Sequence, residues 1–133
     1  MSSALAGIRV LDLTNVLDGP FCAYQLALLG ADVVKIEVPD GGDLARQLGA
    51  DPALNARHMG ASFLAQNAGK KSVTLNLKHA KGKAVLRRLV ESADVLVENF
   101  RPGVMARLGL AHDDLAAVNP RLVYCAISGF GQE

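Results

Sequence analysis

The sequence predicts an α/β fold built on a parallel β-sheet. Short apolar runs alternate with segments of helical period along the whole chain, the pattern of strand–helix–strand units. Half of the 133 residues are hydrophobic, with few aromatics and no Trp. That apolar material is mostly Ala, Leu and Val, which suits helices packed on both faces of a buried sheet.

The first strand is expected over Ile8–Leu13, where Ile8, Val10, Leu11 and Leu13 leave little polar surface. A turn follows over Thr14–Pro20, then a helix over roughly Phe21–Leu29. Pro20 is expected at its first position, where no amide hydrogen is needed, and Gly30 just past its end. The second strand is Asp32–Val38. Pro39–Asp43 is a turn cluster, with short helices around Leu44–Leu48 and Asn55–Ala65. A third strand covers Ser72–Leu77. In the helix Ala80–Ala93, Val85, Leu86, Leu89, Val90 and Ala93 share one face. A fourth strand is Val95–Glu98, followed by a turn over Asn99–Gly103 and a short helix to Leu108. A helix over Asp113–Val118 stops at Asn119–Pro120, and a fifth strand covers Leu122–Ser128. Gly129–Glu133 reads as the start of a βα loop, so the chain is expected to be a fragment.

Length and charge narrow the class. A chain of 133 residues is the size of one domain, here taken as 1–133. Lys plus Arg is 14 against 13 for Asp plus Glu, which removes the global basic signature of a nucleic-acid binder. Cys22 and Cys125 stand in no metal-ligand or disulfide pattern and read as small hydrophobes. They favour a reducing, cytoplasmic setting. Met1–Leu5 has no basic or apolar leader character, and no apolar run reaches the ~18 residues of a membrane span. His58, His79 and His112 have no partners at metal spacing, so no metal site is expected.

Three loops carry chemistry, each following a strand, where α/β folds bind ligands. In Thr14–Pro20, one Gly precedes a Pro that has no amide to give. The bare amides of a dinucleotide fingerprint are therefore missing, and NAD is not expected even with Glu37 ending the second strand. Asp18 is a helix cap or a ligand contact, and both readings stand. Around Lys78–Lys83, three lysines and His79 gather at a helix start, where the helix dipole disfavours cations. Either an anion sits there or the lysines are solvated. In Glu98–Gly103, Asn99 offers hydrogen bonds, Phe100 a flat face and Arg101 a cation. Arg107 reaches the same pocket or caps its own helix before Gly109. The neighbouring carboxylates Asp113 and Asp114 read as helix N-terminal charges, not a catalytic pair.

Taken together, Gly7–Leu13 with Gly19–Pro20 and Leu29–Glu37, then Asn67–Lys78, Ala93–Gly103 with Arg107–Leu110, Asn119–Tyr124 and Ser128–Gln132 resemble the class III CoA-transferases. This is the formyl-CoA/carnitine-CoA transferase, or CaiB/BaiF, family. The likeness runs from Gly7 to Gln132. It implies a Rossmann-like coenzyme A-binding domain, the amino-terminal part of a larger two-domain protein about three times this length whose two chains interlock as a homodimer. In such enzymes an Asp carboxylate attacks an acyl-CoA thioester to give a mixed anhydride. CoA thiolate then forms an enzyme thioester, which a carboxylic acid acceptor displaces in turn. Coenzyme A contacts carry over to Val16, Leu17 and Asp18; to Leu75, Asn76, Leu77 and Lys78; to Asn99, Phe100 and Arg101; and to Arg107. Some members place an Arg after the acid ending the second strand; here that position is Val38. No Asp of this chain matches the nucleophile, which is expected beyond Glu133, and the chain alone is expected to be inactive.

Two other readings compete. One is an α-methylacyl-CoA racemase of the same superfamily, moving a proton with a His and an acid. The other is a non-catalytic CoA-binding or self-associating module.

Overall fold

A computed structural model describes residues 3–132; Met1, Ser2 and Glu133, and the readings made on them, lie outside the described residues. The strands β1 (Arg9–Asp12), β2 (Asp32–Glu37), β3 (Lys71–Thr74), β4 (Val95–Glu98) and β5 (Val123–Ala126) form one sheet. Their order is β3-β2-β1-β4-β5 and every neighbouring pair is parallel. The chain moves outward from β1 to β2 and β3, returns to β4 on the other side of β1, and continues to β5. The order of travel reverses between β1 and β4, which opens a crevice at their carboxyl ends. The helices are α1 (Asp18–Leu28), α2 (Pro52–Ala56), α3 (Ala61–Asn67), α4 (Ala80–Val90), α5 (Val104–Leu108) and α6 (His112–Ala116), with one 3₁₀ turn over Leu44–Gln47.

Alternation along the strands divides the core in two. Leu11, Ile36 and Leu96 point to the side where Leu86 and Val90 of α4, Met105 of α5 and Leu115 of α6 pack. Val10, Val33 and Val97 point to the other side, against Ala23 of α1. On α4 the buried residues Leu86 and Val90 follow the helical repeat and buried Ala93 lies just past the helix end, while Val85, assigned to the same face from the sequence, is 43% exposed. It sits at the edge of the stripe.

Two expectations change. Helix α1 begins at Asp18, not Phe21, so Pro20 is its third residue and not its first. The first-turn amides lack intrahelical partners, so a proline is tolerated there as well. The helix expected over Asn55–Ala65 is two, α2 and α3, because His58 takes φ 56° and breaks the run. Gly30 does close α1: its N–H donates to Ala27 C=O and that of Ala31 to Leu26 C=O, with φ 98° at the glycine. Asn119 does more than stop a helix. Buried, it donates to Val90 C=O (3.0 Å) and Ala93 C=O (2.8 Å), satisfying carbonyls at the end of α4.

Candidate functional site

The loops at the carboxyl ends of β1 and β4 meet in the crevice and are tied together. Asn99 Oδ1 accepts the Asn15 N–H at 2.8 Å. Its amide nitrogen donates to Asn15 C=O at 2.9 Å and to Asp18 Oδ1 at 2.7 Å. Asp18 also accepts the Gly19 N–H within the first turn of α1.

Two grooves flank this tie. One, of about 380 Å³, has a largely apolar floor of Leu13, Ile36, Leu75 and Phe100 and carries Asn76, Leu77, Lys78 and Asp40 on its walls. The other, of about 550 Å³, is shallow and lined by Asn15, Val16, Leu17, Asp18, Asn99, Phe100 and Arg101. Asn15 and Phe100 belong to both. Ten of the eleven residues singled out from the sequence therefore line one continuous surface. Arg107 does not: it is exposed on α5 and lines neither groove.

At the basic helix start, His79 Nδ1 accepts the Lys81 N–H, capping α4. Asn76 Oδ1 accepts the Lys78 N–H, and the lysine side chain is exposed at the groove. Asp114 accepts the Ala111 N–H, the helix-terminal role read from the sequence.

Beneath the loops lies a group of buried charges that sequence reasoning passed over. On the α1 side of the sheet, Asp12 and Lys35 stand opposite each other in the β1–β2 register, both fully buried. Lys70 Nζ donates to Asp12 Oδ2, Pro20 C=O and Asn67 Oδ1, each at 2.8 Å. Burial pulls its pKa down against the pull of Asp12. Lys35 Nζ donates to Thr14 C=O at 2.8 Å and stands 2.9 Å from Asp43 Oδ2, an ion pair whose angle falls short of a directed hydrogen bond. Thr14 hydrogen-bonds Asp12 through both its amide and its hydroxyl. The signal was present: Asp12 and Lys35 are charges inside otherwise apolar strands, and charges are almost never fully buried unless paired.

Glu37 ends β2 and is occupied. Arg46 grips it with two bonds of 2.7 Å, Ser72 donates at 2.6 Å and the Asp43 amide at 2.8 Å. Burial alone would raise its pKa, but these donors and the guanidinium charge hold it down to about 2. Its carboxylate has no free edge for a ribose. Glu98, at the end of β4, is the contrast. It accepts the Phe100 N–H at 2.8 Å and a long 3.4 Å contact from Tyr124 Oη. It is 4% exposed and makes no ion pair among the described residues. Burial raises its pKa, and burial followed by the Glu98 charge raises that of Tyr124.

Among the described residues no group of three or more His, Cys, Asp or Glu could hold a metal, and no helix is long and apolar enough to cross a membrane.

A model of the family described as CoA-transferase family III matches residues 5–133. The chain is 46% identical over 128 residues to the succinyl-CoA–L-malate CoA-transferase beta subunit of Chloroflexus aurantiacus, covering 96% of this chain and 31% of that protein. It is 46% identical over 132 residues to formyl-CoA:oxalate CoA-transferase of Rhodopseudomonas palustris, covering 98% and 30%. The crystal structure of a CaiB/BaiF family protein from Brucella suis superposes with a TM-score of 0.87 at 37% identity, covering 100% of this chain and 35% of that one. The chain thus spans about a third of the length of the curated relatives it matches.

Proposed function

The chain belongs to CoA-transferase family III, and from that premise we propose that it forms the coenzyme A-binding part of an enzyme that moves CoA from an acyl-CoA donor to a carboxylic acid acceptor. The observation that carries the reading is the continuous surface at the carboxyl ends of β1 and β4. It is built from the loops of an open α/β sheet at the point where strand order reverses, the place where such folds take ligands.

In this reading the groove floored by Leu13, Ile36 and Leu75 receives the nucleotide base, with Phe100 offering a face to stack on. Lys78 and Arg101 meet phosphate charges, and Val16, Leu17 and Asp18 flank the path of the thiol arm. The nucleophile belongs to sequence beyond Glu133. The buried carboxylates Asp12, Glu37 and Asp43 are engaged by Lys70, Arg46 and Lys35, and such ion-paired groups are poor candidates for attacking a thioester. The whole enzyme acts as a homodimer, in the cytoplasm.

A thermal melt of the chain alone, with CoA and with NAD tests the binding claim. A ligand that binds only the folded state stabilises it by about 2.7 kcal/mol at a hundredfold excess over its dissociation constant. The expected result is a cooperative melt raised by CoA and not by NAD. A cooperative melt that CoA leaves unmoved would overturn the reading.

A further inference from the structure

The turn from β1 into α1 folds back sharply at Val16. Its φ is 71°, and the Leu17 N–H reaches across it to Asn15 C=O at 3.1 Å. A three-residue ring with a positive central φ is the rare, strained kind of γ-turn, and a β-branched residue is poorly suited to it. Such backbone persists only where its surroundings over-determine it. The Val16 N–H donates to Asp43 Oδ1 at 3.0 Å, and Asp43 is fully buried. Its second oxygen faces Lys35 Nζ, which holds Thr14 C=O. A buried carboxylate and a buried ammonium therefore grip the same loop at Val16 and at Thr14. Neither side chain lines either groove.

The geometry points to Asp43 as a positioning residue for the CoA groove: backed by Lys35, it fixes the γ-turn at Val16 and so sets where Val16 and Leu17 meet the ligand. The claim that a ligand is positioned rests on the CoA reading above; the grip itself does not. The carboxylate is required for its polarity on both sides. Oδ1 accepts the amides of Val16 and Ala45, while Oδ2 faces a cation. An Asn of the same shape must turn its NH₂ either toward the two amides or toward the ammonium, and either way donor faces donor.

The test combines amide hydrogen exchange with CoA titration on the whole chain, for wild type, Asp43→Asn and Asp43→Asn with Val16→Gly. In wild type the Val16 amide exchanges slowly. In Asp43→Asn it speeds up while the amides of Val10 and Leu11 keep their rates, and the CoA dissociation constant rises about tenfold, the loss of one hydrogen bond to a charged group. Adding Val16→Gly restores most of the affinity, because glycine takes a positive φ without strain. General destabilisation would instead speed all these amides together and show no rescue, and that result overturns the proposal. So does a folded Asp43→Asn that binds CoA as wild type does. Should Asp43→Asn not fold, a wild-type Val16 amide exchanging at the free-peptide rate overturns it, and a protected one supports it. A wild-type chain that binds no CoA overturns the CoA reading, while the exchange rates still decide whether Asp43 holds Val16.

Discussion

Asn99 pairs with the main chain of Asn15 through both ends of its amide, accepting from the N–H at 2.8 Å and donating to the C=O at 2.9 Å. The remaining amide hydrogen goes to Asp18. A side chain read from the sequence as a ligand contact thus also joins the two loops on which the groove depends. Asn99→Ala leaves the Asn15 N–H without its partner and the Asn15 C=O with only the Leu17 N–H, at a cost of about 1–3 kcal/mol, and weakens CoA binding. Asn99→Asp keeps the acceptor for the Asn15 N–H but turns a charge toward Asp18, so its loss is larger at neutral pH. Asp18→Asn added to Asn99→Asp supplies a donor again and recovers part of the loss. Chemical denaturation of wild type, Asn99→Asp, Asp18→Asn and the double variant as a double-mutant cycle measures the coupling, and additive losses would refute it.

Lys70 and Lys71 are adjacent in sequence and opposite in consequence. Lys70 has 2% of its side chain exposed and holds Asp12, which is fully buried. Lys71 pairs with Asp32, with 70% and 42% of the side chains exposed. Removing Lys70 leaves Asp12 only the more distant ammonium of Lys35 at 3.8 Å, and breaking a buried pair costs about 3–5 kcal/mol. An exposed pair contributes at most about 1 kcal/mol. Lys70→Met is therefore expected to lower stability severely and Lys71→Met to change it little, as read from urea midpoints at constant slope. Equal midpoints would refute the burial argument.

That pair shows where the sequence stops being readable. Strand positions were legible because Val10, Val33 and Leu96 lie in continuous apolar runs, and the parallel pairing followed from their alternation with helices. The loops after β1 and β4 were legible as loops because turn residues gather there. Which of two neighbouring lysines turns inward depends on where Asp12 and Asn67 come to lie in space, and no local pattern encodes that. The partnership of Val16 with Asp43 spans 27 residues and depends on the path of an irregular segment. The start of α1 was misplaced because proline is favoured at the first helical position but tolerated anywhere in the first turn.

The two strand-ending glutamates respond to acid in opposite senses. Glu37 is held well below its ordinary 4.5, at about 2. It contributes stability above its unfolded pKa, and this is lost as pH falls from about 4.5 to about 2. The full contribution is about 3 kcal/mol. Glu37→Gln should lose about that much at pH 7 and flatten the acid limb of the stability curve. An unchanged acid limb would refute the assignment.

Glu98 has its pKa raised, by burial first, against the Phe100 amide and Tyr124 hydrogen bonds. Its protonated form favours the folded state, so the stability it gives is present below its unfolded pKa and lost as pH rises through the folded value. Glu98→Gln should therefore raise the melting midpoint at pH 8 and leave it nearly unchanged at pH 4. The Gln carbonyl can still accept from Phe100 while its NH₂ donates to Tyr124 Oη. A midpoint lowered at pH 8 would mean that the charge is stabilised by contacts other than these two.

Gly82 sits in the first turn of α4, where a Cβ would overlap the carbonyl of Asn76. The contact is with backbone, so no side-chain rotation relieves it. The helix start is therefore pressed against the strand-end loop that places Asn76, Leu77 and Lys78 on the groove wall. On helix propensity alone, Gly82→Ala should stabilise the chain by up to about 1 kcal/mol. The steric term opposes it at about 1–3 kcal/mol, and relief requires either α4 or the Asn76 loop to move. The expected outcome is a net loss of stability, with CoA affinity falling by more than in Lys83→Ala, a change on the same helix. Calorimetric titration of the two variants checks it. A Gly82→Ala chain as stable as wild type and binding CoA equally well would show that α4 can withdraw without disturbing the groove.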